Sequence, residues 1–192
     1  MDALPLEYIP VQKKLVAYID GANMDAKNDT LNEIKKNWWL HDSFWHAEVY
    51  RSLGHEVANK LNHRVNERLF RMITLIFIRK RLFSKPNSIR DLMEIFKLIW
   101  KECFFDELYL HDPITFKNDT AVWIGSKCQA YESLIKAGMV SNYQCGCEAL
   151  RNGVMKALKL EPLHIIRESF VKGDKRCVVE VKFNPLKNNM FD

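Results

Sequence analysis

The chain has 192 residues, 47% of them hydrophobic, and a net charge of +5. That length supports one well-cored domain, and the apolar content excludes a disordered chain. The 29 basic residues are spread among 24 acidic ones, so nucleic acid is an unlikely partner and the charge describes a solvated surface. Residues 1–14 read as an extended leader with Pro5 and Pro10, and the opening MDALPLEYIP lacks the basic region and apolar core of a secretory signal. The longest apolar run, Met72 to Ile78, is interrupted by Thr74 and falls far short of the ~20 residues that span a bilayer. Five cysteines without such a signal are expected to be reduced thiols in a cytoplasm.

Helical signals dominate residues 30–104. Thr30 to Lys36 opens a helical region that leads into Trp38-Trp39-Leu40-His41-Asp42-Ser43-Phe44-Trp45-His46. Asp42 or Ser43 is a candidate N-cap for a helix to about Leu53, ended by Gly54. Trp38, Trp39, His41, Phe44, Trp45 and His46 can wall a small-molecule pocket, with aromatic rings for contact area and imidazoles as polar handles. A plain core corner with both histidines bonded to backbone is the simpler reading. His55 to Phe83 is the longest helical pattern, with Val57, Ala58, Leu61, Val65, Leu69, Met72 and Ile76 on one stripe. Between Leu69 and Ile78 the apolar face widens, so the domain core or a second subunit of a homodimer is expected to cover it. Arg79-Lys80-Arg81 then reads as dipole complementation at a helix C-terminus. Lys85-Pro86-Asn87-Ser88 breaks the pattern, with Ser88 as N-cap of a helix from Ile89 to about Phe104 that turns Leu92, Ile95, Phe96, Ile99 and Cys103 inward.

From Asp106 the character changes. Glu107 to His111 and Thr115 to Gly125 read as strands around a turn at Asp112-Pro113, and Ala130 to Ala137 as a helix closed by Gly138. Cys128 has no evident partner. Tyr143 to Phe183 reads as a helix followed by a β-hairpin. In its last strand Cys177, Val179, Val181 and Phe183 face one way, and Gly173-Asp174 suits a two-residue type II′ turn. That turn pairs Phe170 with Cys177 and puts Glu168 on the Cys177 face. The predicted architecture is α+β, with N-terminal helices packed on a mainly antiparallel sheet that ends in helix plus hairpin. It forms one domain over 1–192: an extension over 1–37, a helical part over 38–104 and a strand-helix-hairpin part over 105–184.

A buried carboxylate beside a thiol needs a partner, and Cys145-Gly146-Cys147 can add thiolates around a shared metal. This order of a Cys before a helix, then Glu168, a Gly-Asp turn and Cys177 resembles the 4-vinyl reductase domain family. Those are small-molecule-binding domains, including the sensor domains of phenol-responsive bacterial activators, and are related in fold to a family of vesicle-tethering subunits. The resemblance implies a structural zinc held by Cys145, Cys147, Glu168 and Cys177, although Val171 stands where those sensors have a further Cys. A reduced Cys pair with Glu168 bonded to backbone or Arg is the reading without metal. The stretch LHDSFWHAEVYRSLGHEVANKLNHRVNERLFRM is also similar to the L-2-amino-thiazoline-4-carboxylate hydrolase-like proteins. Together the two resemblances span roughly residues 38–183.

Three functions follow as expectations. The first is an aromatic- or heterocycle-binding module with a structural zinc. The second is a metal-dependent hydrolase of a small cyclic amidine, with Glu168 or a His as general base at an open metal position. The third is a protein–protein adaptor. A lower alternative rests on KLVAYIDGANMD, residues 14–25, which resembles the first strand and DGxN turn of NYN/PIN-like ribonucleases. Those enzymes need more acidic residues at the ends of later parallel strands, and residues 30–105 contain no convincing strand, so Asp20 and Asn23 read as turn formers. No Gly-rich phosphate loop, nucleophile elbow or HExxH motif is present.

Overall fold

The computed structural model describes residues 24–104, 109–111, 113–161 and 163–184. Asp20, Asn23 and Asp112 lie outside the described residues. The elements run α1 (Met24–Arg79), α2 (Ile89–Cys103), β1 (Tyr109–His111), β2 (Thr115–Lys117), β3 (Thr120–Cys128), α3 (Gln129–Lys136), α4 (Cys147–Ala157), β4 (Leu163–Glu168) and β5 (Cys177–Lys182). The sheet is antiparallel throughout, in the order β1-β3-β5-β4, with β2 sharing the β1 side of β3. This is the α+β arrangement expected from segregated helices and strands. No helix of the described residues is long and apolar enough to cross a membrane.

Gly54 breaks α1 as its sequence predicts, with φ 81° and ψ 168°, but helix resumes at once on its far side. The left-handed φ is what a residue without Cβ permits. Asp42 and Ser43 are not caps: they sit inside the first arm, and the Ser43 hydroxyl donates to Trp39 O at 2.8 Å, one turn back. Ser88 does cap α2. Its Oγ accepts from Asp91 N at 3.2 Å, while the Asp91 carboxylate accepts from Asn87 N at 3.0 Å. Leu92, Ile95, Phe96 and Ile99 then enter the core, each burial contributing about 1.5–3 kcal/mol.

The core lies between one sheet face (Ala121, Val179, Val181) and the helices α2, α4 and the second arm of α1. An aromatic chain runs through it. Trp100 meets Trp123 at 4.9 Å and Phe104 at 5.2 Å, and Phe104 stacks on Trp39 at 4.9 Å. The Trp39 indole donates to Cys103 O at 3.2 Å, which ties the first arm of α1 to the end of α2.

The long helix turns only part of its predicted apolar stripe inward. Ala58 of the stripe is buried and Leu69 packs on the core, joined by Asn59, Phe70 and Thr74 from outside the stripe, whereas Val57, Val65 and Met72 are exposed. The reason is α4, which lies along this arm so closely that a Cβ on Gly153 would sit 2.3 Å from Glu67 O. Contact at that range selects small residues and hydrogen-bonding amides over large aliphatics. The strand predicted over Thr115 to Gly125 is likewise two strands, β2 and β3, because Asn118 adopts φ 52° and makes a turn with Asp119.

Candidate functional site

The segment between α3 and α4 is held by α1. Asn59 donates to Asn142 O at 2.7 Å and accepts from Gln144 N at 3.0 Å, and His46 meets the Tyr143 ring edge-on at 5.7 Å. These bonds give the irregular backbone the partners that a helix or sheet would otherwise supply. They also aim Tyr143, Cys145 and Cys147 at the end of the sheet where β3 and β5 carry Cys128 and Cys177. Gly125 pairs with Cys177, so Cys128 at the end of β3 falls beside it.

Four of the five thiols therefore meet at one place, all reduced. Burial, with Cys147 beside it, pushes the Cys128 thiol up to about 12. A hydrogen bond with Cys147, and then burial, holds Cys145 well above the ordinary thiol range, and burial raises Cys177. Without a metal or cation beside them, this setting disfavours the thiolate form at Cys128, Cys145 and Cys177. Tyr143 is pushed up by burial and by the neighbouring Cys145 and Cys147.

Two adjoining cavities share these thiols. The larger, about 370 Å³, lies between the first arm of α1, α3 and the Tyr143 segment; Phe44, Tyr131, Leu134 and Phe170 supply apolar walls. Tyr131 stacks on Phe170 at 5.6 Å. The smaller, about 90 Å³, opens under the sheet between Trp100, Trp123 and Arg151. Cys128, Cys145, Cys147, Cys177, Ser169 and Phe170 line both. A larger but open surface hollow around His55 and Asn59 is shallow and carries no such convergence.

In the wall of the larger cavity His46 is 7% exposed and its Nδ1 has no hydrogen-bond partner. Burial lowers its pKa against the opposing pull of Asp42, while burial raises that of Asp42. His164, on β4, is also lowered by burial and then by Arg151, although its Nε2 lies 3.3 Å from Glu148. Each imidazole resists protonation when folded and accepts it at about pH 6.5 when unfolded. Stability is thus complete above the unfolded value and is lost as pH falls toward the folded one. The melting temperature is expected to drop between pH 7.5 and 5.5, and His164→Gln should flatten the slope. The Asp42 shift has the opposite sign: burial disfavours its charged form, and that cost is relieved as pH falls through its raised folded value.

The predicted residues divide. Cys145, Cys147 and Cys177 come together as expected, joined by Cys128. Glu168 does not join them. A bulge between Ile166 and Glu168 places Glu168 opposite Val178, on the outer sheet face, where Arg176 donates to its carboxylate at 2.8 and 3.0 Å. Phe170 is not paired with Cys177, because Phe170–Lys172 forms a 3-10 turn and Gly173, at φ 89°, closes it. The Asp174 carboxylate accepts from Ser169 N at 2.7 Å and stabilises this longer loop. The quartet drawn from the sequence is thus not assembled, and no three His, Cys, Asp or Glu side chains among the described residues are arranged to hold a metal ion. The Glu168–Arg176 pair is screened by solvent, so Glu168→Ala should leave the melting temperature within about 2 °C.

Trp39, Phe44 and His46 line the larger cavity, with Asp42 between them. Trp38, His41 and Trp45 do not: Trp38 stacks on His41 at 6.2 Å on an exposed flank, and Trp45 is exposed. One helix cannot aim six residues of a nine-residue stretch at one side, since successive side chains rotate by about 100°. Sequence reasoning missed Cys128, Tyr131, Phe170 and Arg151. Only Arg151 carried a local signal, a charge between Leu150 and Val154 on the buried stripe of α4. No family model matches the chain, and no curated protein matches it.

Proposed function

We propose that this protein binds a small aromatic or heterocyclic molecule in the cavity between the first arm of α1, α3 and the Tyr143 segment. The observation that carries this reading is the cavity itself. At about 370 Å³, with mostly apolar walls and a few converging polar groups, it has the size and character of small-ligand sites. Phe44, Tyr131 and Phe170 present ring surface, neutral thiols form a soft polarisable floor, and His46 offers an unpaired ring nitrogen. The resemblance to 4-vinyl reductase domains supports the same reading.

Titration with indole and p-cresol, followed by thermal shift, tests it. Wild type is expected to be stabilised in a saturable way, Phe44→Ala and Phe170→Ala to bind at least about tenfold more weakly, and Trp45→Ala to bind as wild type. Equal binding by all four proteins would remove the cavity as the site. Zinc is a second reading of the same place, favoured by four sulfur donors at one junction. It requires about one zinc per chain by elemental mass spectrometry, lost alike in Cys128→Ala and Cys145→Ala and retained in Glu168→Ala.

A further inference from the structure

Arg151 is only 4% exposed, yet its Nε has no hydrogen-bond partner and no carboxylate among the described residues forms an ion pair with it. A guanidinium is charged at every physiological pH, and a buried charge without a partner is strongly unfavourable. The residues around it do not answer that charge. Glu148 lines the same cavity but reaches His164, at 3.3 Å. His164 presents a buried Nδ1 without a partner, and Lys127 adds a second cation to the lining. The cavity in front of Arg151, about 90 Å³, is walled by the rings of Trp100, Trp123 and Phe170 and adjoins the larger cavity at the four thiols.

We infer that Arg151 receives a carboxylate of the bound molecule, so that the ligand is an aromatic or heterocyclic acid. This inference rests on the cavity being a ligand site and specifies what enters it. The planar fork of the guanidinium matches a carboxylate with two parallel hydrogen bonds. The acid group supplies the missing counter-charge, and its apolar body occupies the space toward Phe44 and Tyr131.

The experiment is a fluorescence and thermal-shift titration of the full chain with benzoate, with benzyl alcohol as its neutral counterpart and inorganic phosphate as a second anion. Benzoate is expected to bind at least about tenfold more tightly than benzyl alcohol, and phosphate not to compete. Arg151→Gln should remove the preference for benzoate while leaving indole binding unchanged, and Arg151→Lys should retain part of it. Arg151→Met should melt at or above wild type in the absence of ligand, since it removes an unpaired buried charge. Equal affinity for benzoate and benzyl alcohol overturns the inference and leaves the cavity intact, whereas failure of indole, p-cresol and benzoate together rejects the cavity as a ligand site. Phosphate displacing benzoate overturns the carboxylate assignment. Zinc in the wild-type protein without a preference for benzoate also overturns it, because metal-bound thiolates would then neutralise Arg151.

Discussion

Replacing Gly153 with alanine is expected to destabilise the protein by about 3 kcal/mol or more. A Cβ there would lie 2.3 Å from Glu67 O and 2.9 Å from Arg71 N, both backbone atoms of α1. No rotamer change relieves a clash with backbone, so α4 must move away from the long helix. That shift would open the interface that buries Ala58, Asn59, Leu150 and Val154. For a chain of this size the melting temperature should fall by about 10 °C, and calorimetry measures it directly. A variant that melts with wild type would mean that α1 and α4 are not packed at this distance. Because α4 also carries Cys147 and Arg151, a folded Gly153→Ala protein should bind the acid probe more weakly.

The second large effect is expected at Asn59. Its side chain is 4% exposed and makes two bonds to the Tyr143 segment, one to Asn142 O and one from Gln144 N. Alanine in its place leaves a backbone carbonyl and a backbone N–H unpaired in a partly buried setting, at a cost of about 2–4 kcal/mol. The loss should be local. Amide exchange at Gln144 is expected to accelerate well before global unfolding, because the segment loses its attachment to α1 while α2 and the sheet keep their core. Binding of indole should weaken with it, since Tyr143 and Cys145 form part of the cavity wall. Unchanged exchange at Gln144 in Asn59→Ala would show that other contacts hold the segment.

Which features were legible beforehand follows the range over which they act. The cap at Ser88, the core face of α2, the break at Gly54 and the αL residue at Gly138 are visible in sequence because each depends on a few neighbouring residues. The hairpin of β4 and β5 was also legible, but its register was not. A two-residue Gly173-Asp174 turn and the observed 3-10 turn use the same residues, and a one-residue difference reverses the face on which Glu168 lies. The choice depends on the Asp174 bond to Ser169 N and the Arg176 pair with Glu168, which local pattern does not weigh. The long helix shows the same limit. Of its apolar stripe Ala58 and Leu69 turn inward while Val57, Val65 and Met72 are exposed, because the inward face was decided by an interhelical distance that Gly153 sets from some ninety residues away.

By itself, the sequence determined the element types, their segregation into α+β order and the helix boundaries at Ser88 and Gly138, while the grouping of Cys145, Cys147 and Cys177 was an expectation that a family resemblance carried. Tertiary structure decided that Cys128 joins those thiols, that Glu168 turns outward to Arg176, that Trp38 and Trp45 leave the cavity, and that Arg151 is buried without a counter-charge. Helix propensity, capping and turn chemistry act within about four residues, so composition and spacing express them directly. The site is made where α1, α3, α4, β3 and β5 converge, and burial, pairing and charge exist there only once those elements have packed.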